Sequence, residues 1–448
     1  MQAISAIRMS RSQLKHVLAR VRESAFVRNV LIVMSGTAAA QIIGFSISPI
    51  ISRLFTPSDF GVFGSFNSIS TIIAAGATLQ YTQAIMLPKE KEDAINLFFV
   101  SCLSTLGVGF LCLVVCLVVP TYINGLMKTD SIWALALLVI ATFVTGLNAS
   151  CQAWCVRVKA FKITASSQII RSLSSNGSQV GLGFLKGGAA GLIVSSVLAD
   201  ILASLNLVRV VISDIKTFWQ RIQWGRMKDL AKEYRDFPMY SASQNIINSL
   251  SSGLPVLLLT HFYGLAVAGA YAFGVRILQI PMGFVLAPLR QVLFQKASEA
   301  YNQGGTLAQL YIKITVGLFA VILFPSLVLF IWAPELFKLI FGSQWYMAGE
   351  YARWLILWLM FYFCNLPAVL FAQVIRIQRS MFFYDLILLT ARTLVLVLGG
   401  LYLNALYTII SFSIIGAIMN TILILIVAYE VIQKSCNQLE GKSIFSKK

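Results

Sequence analysis

Residues 95–119 read INLFFVSCLSTLGVGFLCLVVCLVV, an apolar run without one charged side chain. As a helix rising ~1.5 Å per residue it would measure ~38 Å, more than the ~30 Å hydrocarbon layer of a bilayer. Lipid demands a run of this kind, because a helix satisfies its own backbone groups where no water can. Outward from it, eleven further windows of similar character are bounded by charges, Pro or Gly. The full set, in approximate limits, is 30–52, 62–87, 95–119, 132–154, 163–185, 188–208, 239–261, 265–289, 311–332, 354–375, 381–402 and 406–431. The whole chain agrees: 448 residues are 58% hydrophobic and 12% charged, against about 25% charged in a soluble domain, and mean hydropathy is +0.80. Soluble enzymes and DNA-binding proteins are excluded. The expected fold class is an all-α polytopic membrane protein with 12 transmembrane helices.

Two windows are unusually polar. Ser166, Ser167, Gln168, Arg171, Ser172 and Asn176 fall in 163–185, and Ser243, Gln244, Asn245, Asn248 and Ser252 fall in 239–261. Such helices cannot face lipid all round. Either they pack through hydrogen-bonded small residues or they wall a water-filled cavity, and a whole span this polar favours the cavity.

The net charge of +18, from 35 Lys and Arg against 17 Asp and Glu, would suggest nucleic acid in a soluble protein. Among membrane spans it sets orientation. With the N-terminus inside, 27 of the 35 basic residues fall on inner segments. Arg53, Lys128, Lys186, Lys338 and Arg353 fall outside, and Arg171, Arg276 and Arg392 lie within spans. Both termini are therefore expected in the cytoplasm. Residues 1–28 lack the pattern of a secretory signal. There Ile4, Ile7, Leu14, Leu18, Val21 and Ala25 recur at helical spacing among basic residues, as in an amphipathic helix on the inner leaflet or a solvated basic tail. The basic stretch 213–237, with Trp219 and Trp224 suited to the interface, separates an N-lobe, 29–212, from a C-lobe, 238–432, leaving a tail at 433–448.

The halves carry traces of a repeat. LFTPSDFGVFGSF (54–66) lies over HFYGLAVAGAYAFG (261–274), with Gly61 opposite Gly269, Phe63 opposite Tyr271 and, at the same offset, Gln83 opposite Gln291. A parallel repeat encloses a central site at its interface. Charges within spans cost at least about 2.5–3.5 kcal/mol at the helix centre, so they report on that site. Arg276 and Arg392 lie ~16 Å along their spans, near the midplane, with Arg171 nearer the cytoplasm and Arg290 at the inner end of span eight. Each is a structural or snorkelling side chain, or a cavity cation. Asp200, the sole midplane acid of the first half, is the candidate for ion coupling. Asp385, seven residues before Arg392, is expected to pair with it. A surplus of Arg over acid implies a cationic cavity, matched to a lipid-linked diphosphate and not to a cationic drug.

Helix breakers fall at corresponding places: Gly44 and Pro49, Gly253 and Pro255, and Gly274, Pro281, Gly283 and Pro288. They serve either bending gates or static packing. Cys112 with Cys116 and Cys151 with Cys155 lie in apolar windows, where Cys acts as a small hydrophobe. No metal site, cofactor or catalytic constellation is expected, and the protein reads as a non-enzyme.

Two stretches carry a family pattern. SRLFTPSDFGVFGSFNSIS (52–70) joins a basic residue, an apolar pair, a Pro and an aromatic-Gly pair; APELFKLIFGSQWYMAGEYARWL (333–355) carries Gly342, Trp345, Ala348 and Gly349. In both, the chain resembles the Wzx-type polysaccharide flippases, of the superfamily that also contains the lipid II flippases and the MATE drug exporters. The resemblance implies two six-helix lobes around a central cavity that opens alternately to either side. It implies as cargo an undecaprenyl-diphosphate-linked oligosaccharide, the repeat unit of a lipopolysaccharide O-antigen, capsule or exopolysaccharide. This would pass from the cytoplasmic to the outer leaflet of the bacterial inner membrane, its prenyl tail staying in lipid. A polysaccharide polymerase and a chain-length regulator are the implied partners, beside membrane lipids. Spans one, two, seven and eight would border the groove. By depth and helix, the substrate-binding candidates are Arg276, Arg171, Arg290, Arg53, Arg392, Gln83, Gln291 and Asn248.

Lipid II members generally have 14 spans, which argues against that cargo. A MATE-like ion-coupled exporter would need a buried acidic cluster in the first half, where Asp200 stands alone. A membrane glycosyl polymerase would need a large external loop, yet 333–353 offers only Glu335 and Glu350 as acids. Cysteine accessibility tests the orientation. In a Cys-free background, Lys128→Cys and Lys338→Cys should react with an impermeant reagent in intact cells, and Lys228→Cys and Lys442→Cys only after the inner face is opened; the reverse pattern overturns it.

Overall fold

The computed structural model describes residues 25–129, 131–218, 221–303 and 307–445, of which residues 25–34 and 436–445 and a few single positions, Gln291 among them, are described by backbone alone. The expected amphipathic helix within residues 1–28 and the interfacial Trp219 fall largely outside the described residues. Among those described, the chain is nearly all helical, and ten helices are long and apolar enough to cross a membrane. The first half comprises α1 (Ala25–Leu54), α2 (Pro57–Ala77), the short α3 (Tyr81–Ala84), α4 (Lys91–Val118), α5 (Pro120–Met127), α6 (Ile132–Arg157), α7 (Phe161–Phe184) and α8 (Gly188–Phe218). A linker helix, α9 (Trp224–Glu233), follows. The second half comprises α10 (Ala242–Tyr263), α11 (Leu265–Gln303), α12 (Leu307–Phe341), α13 (Tyr346–Cys364), α14 (Leu366–Val374), α15 (Gln378–Tyr402) and α16 (Ala405–Phe445).

The two expected spans outside the ten, 30–52 and 163–185, are helical within α1 and α7. The serines and amides of α7 lower its hydropathy, and much of that polarity serves packing. Gly36 lies so near α7 that an added Cβ would stand 2.6 Å from Ala165 Cβ. Ser172 Oγ donates to Ala40 O at 2.6 Å, and Ser167 Oγ donates to Ala203 O of α8 at 2.7 Å. Small residues let backbones approach, and their hydroxyls find acceptors on the neighbouring helix. On the outside of the bundle, Leu117, Val118, Phe324 and Leu339 are largely exposed, a surface suited to lipid.

The linker helix belongs to the first half. Met227 and Leu230 of α9 are buried in one cluster with Tyr81, Phe98 and Trp154, and Tyr81 Oη donates to Ala231 O at 3.1 Å. Arg226 makes two hydrogen bonds of 2.7 Å to the Asp93 carboxylate, which hold its guanidinium above the usual arginine range. Asn96 fixes the preceding turn, donating to Arg221 O and accepting from Gln223 N, each at 3.1 Å. Trp224 is exposed, with the Lys228 ammonium 5.4 Å from its ring centre.

The halves meet where α2 and α11 begin. Thr56 caps α2: Asp59 N donates to Thr56 Oγ1 at 3.2 Å, Thr56 N donates to Asp59 Oδ2 at 2.9 Å, and Pro57 takes the first helical position. One turn on, a Cβ at Gly61 would fall 2.1 Å from Leu265 O, and a Cβ at Gly269 would fall 1.8 Å from Pro57 O. Each glycine touches the residue four positions before the other, so the contact is reciprocal about a local two-fold. Only glycine permits it. Beside it, Trp345 lies tilted over Phe273 at 4.0 Å and edge-to-face with Phe60 at 5.1 Å, ring centre to ring centre. Gly342, at φ 108°, turns the chain so that this indole enters. Gln344 Nε2 and Trp345 Nε1 donate to Ser52 O at 2.6 and 2.7 Å. The two family-pattern stretches, 52–70 and 333–355, thus pack on each other.

Gly269→Ala should lower the melting temperature of the purified protein, by an overpacking cost of about 1–3 kcal/mol. Gly107→Ala, whose Cβ meets no atom within 4 Å, should leave it unchanged. Equal melting of the two variants would overturn the contact.

Candidate functional site

Away from the glycine crossing, the space between the helices opens into three cavities with shared walls. The first, of about 700 Å³, lies mainly within the second half and reaches the basic end of the bundle, where Arg376 and Arg379 stand. Its wall takes Asn248 from α10, Arg290 from α11, Gln373 from α14 and Asp385 from α15, with Gln83 contributed by the first half. The second, of about 650 Å³, lies between the halves and takes Gln41, Asn67, Arg276 and Phe412. Ser251, Ser252, Tyr362 and Arg392 border both, so the two adjoin. The third, of about 300 Å³, is lined by Gln168, Arg171 and Ser175 of α7 and meets the second at Gln41, Arg276 and Ile280.

The arginines divide by whether they have partners. Arg171 is paired with the Asp200 carboxylate, which is largely buried; Arg171 lines the third cavity with its charge balanced, and Asp200 is engaged. Arg276 projects from α11 where the second and third cavities join, and among the described residues it has neither an ion pair nor a hydrogen bond. Arg290 is exposed at the wall of the first cavity, also without an ion pair among the described residues.

Arg392 is only 7% exposed, and its guanidinium lies 4.5 Å from the Trp358 ring centre and 5.2 Å from that of Phe412. The expected Asp385–Arg392 pair is absent among the described residues. Seven residues along one helix face separate them by ~10 Å, and the aromatic faces hold the cation instead. Asp385 accepts a long hydrogen bond of 3.4 Å from Gln244 Nε2.

Of the other expected site residues, Gln83 and Asn248 line the first cavity. Arg53 does not join them: it is exposed at the opposite end, beside Gly342, and lines none of the three cavities. The last turn of α1 directs it outward while Ser52 and Phe55 face the Trp345 cluster. The Gln291 side chain lies outside the described residues.

The walls also include residues that the sequence did not single out. Spans one, two, seven and eight were expected to border the groove, but α13 to α16 supply much of it through Trp358, Tyr362, Asn365, Phe412 and Asn420. Gln41 and Gln279 are single polar residues in apolar stretches, and Asn67 sits among serines. One signal was available: Asn365 followed by Pro367 marks an interrupted helix, the break between α13 and α14. The Asn365 side chain donates to that of Asn420, which donates on to Gly416 O at 2.6 Å. Chemically, the connected space combines unpaired guanidinium forks, which suit phosphate or carboxylate, with amides that suit hydroxyls.

No curated protein matches the sequence. The structure is similar to that of the lipid II flippase MurJ in an inward closed conformation, with a TM-score of 0.68 and 14% identity over 91% of either chain. It is similar also to an inward-facing multidrug resistance MATE family transporter of the MOP superfamily, with a TM-score of 0.67 and 15% identity over 90% of this chain and 98% of that one. A MOP superfamily transporter from Pyrococcus furiosus is a further neighbour, at TM-score 0.57, 13% identity and 91% and 96% coverage of the two chains. At such identities the likeness is one of fold. Residues 50–350, which include the glycine crossing, the linker and the Trp345 turn, match the family described as polysaccharide biosynthesis protein. With that match spanning most of its length, the chain belongs to the polysaccharide biosynthesis protein family.

Proposed function

We propose that the protein is a flippase that carries an undecaprenyl-diphosphate-linked oligosaccharide from the cytoplasmic to the outer leaflet of a bacterial inner membrane by alternating access. The cargo is a repeat unit of O-antigen, capsule or exopolysaccharide, which a polymerase and chain-length regulator then extend. The observation that carries this reading is Arg276, an unpaired cation at the meeting of two cavities. A half-buried charge without a partner is costly, and a diphosphate is the ligand that relieves it. The first cavity reaches the basic end of the bundle while the halves are joined at the other, as an inward-open carrier requires. The work is transfer between leaflets, so no reacting group is called for. In this reading α1 and α7 complete twelve spans in two lobes with both termini cytoplasmic. A cationic drug suits the same cavity poorly, since Asp200 is already paired with Arg171.

In a strain dependent on this protein, Arg276→Ala should cut surface polysaccharide at least tenfold and Arg276→Glu should abolish it, with protein abundance and synthesis of lipid-linked repeat units maintained. Normal surface polymer from Arg276→Glu would overturn the assignment. Asp200→Asn should retain transport within about threefold, since the carboxylate is engaged in balancing Arg171; a loss that tracks the proton gradient would instead make Asp200 the coupling group.

A further inference from the structure

Given a carrier of lipid-linked saccharide, and standing only if that reading stands, we infer that the chamber within the second half is the saccharide subsite. Residues of α10, α14 and α15 then determine which head group is carried.

The connected space has two chemistries. Between the halves, Arg276 and Arg392 dominate, with aromatic walls from Tyr271, Trp358 and Phe412. In the chamber of about 700 Å³ the recurring side chain is the amide, with Arg290 also on the wall. Some of these amides are committed to the protein. Asn365 and Asn420 bond each other, Asn245 donates to Ala75 O at 3.1 Å, Gln83 donates to Gln80 Oε1 at 2.8 Å, and Gln244 holds Asp385.

Three are not committed. Asn248, Gln373 and Gln378 are exposed, line the chamber and have no side-chain hydrogen bond among the described residues. They come from three separate helices and converge on one space. Each offers two donors and an acceptor. That combination matches a sugar hydroxyl, which both gives and takes a hydrogen bond. A phosphate oxygen needs donors alone, and a prenyl chain needs neither.

Two further features fit a saccharide. Tyr362 stands at the boundary with the inter-half cavity, 41% exposed, so a sugar leaving the diphosphate region passes an aromatic face. Asp385, on the chamber wall, can accept from a hydroxyl or an acylamino N–H of the sugar nearest it. The chamber volume falls within the range of about 300–1,000 Å³ usual for small-molecule pockets.

The test compares two lipids on the full-length protein in nanodiscs: undecaprenyl diphosphate, and the same lipid bearing the oligosaccharide isolated from the host strain. Wild type should bind the sugar-bearing lipid more tightly. The variant N248A/Q373A/Q378A should lose that preference, binding the sugar-bearing lipid about tenfold or more weakly while its affinity for undecaprenyl diphosphate and its ligand-free melting temperature stay unchanged. Arg276→Ala should weaken both lipids alike. An unchanged preference in the triple variant, or no preference in wild type, overturns the saccharide subsite and leaves the flippase reading intact. Failure of wild type to bind either lipid overturns the flippase reading itself.

Discussion

Two helix backbones in contact, at Gly61 and Gly269, set the separation of the halves and with it the shape of everything between them. Within lipid there is no hydrophobic drive to bring helices together, so association rests on close packing and interhelical hydrogen bonds. The reciprocal contact supplies the first, and the indole of Trp345 with its acceptor at Ser52 supplies the second. From this crossing the helices diverge, and the cavities occupy the gap. A side chain at either glycine would push α2 from α11, disturb the Phe60, Phe273 and Trp345 cluster, and redraw the walls that carry Arg276 and Tyr271.

Within that frame, the charges sort into distinct kinds. Most of the excess of +18 lies outside the spans and bears on orientation. Arg171 is a structural cation, because Asp200 faces it across the α7–α8 contact. Arg392 is held by aromatic faces, which lower the cost of burial without neutralising the charge. Among the described residues, Arg276 has neither kind of support. The field of the central space therefore comes from a few residues whose surroundings leave them uncompensated, and net charge is a poor guide to it.

Much of this was legible in the sequence. Long apolar runs such as 95–119 and 406–431 declare their helices because the bilayer accepts little else. Gly61 and Gly269 were paired by their offset in a faint repeat, and they turn out to touch. The polar windows became cavity wall on one side, in α10 from Gln244 to Val256 and in α7 from Gln168 to Asn176. What escaped depended on side-chain direction. Arg53 and Ser52 are neighbours, yet one points outward and the other into the seam. Asp385 and Arg392 share a helix face but lie two turns apart, so heptad spacing suggested a pair that distance forbids. The wall from α13 to α16 stayed hidden because single residues such as Asn420 and Phe412 acquire a role only through tertiary packing.

The carbonyl at Ser52 has one more implication. The end of α1 is satisfied by the other half: Gln344 Nε2 and Trp345 Nε1 donate to Ser52 O, and Gln344 Nε2 donates also to Phe55 O at 3.2 Å. Separating the halves here means exchanging these bonds for water. At about 0.5–1.5 kcal/mol for each of the three, the joined arrangement is favoured by roughly ten- to two-thousand-fold. A ligand can reverse that bias only through tighter binding to the parted state, by the same factor. For the proposed carrier the seam would therefore act as a threshold: occupancy alone would not open the far side, and whatever drives the proposed cycle would have to discriminate between the two states by at least that margin.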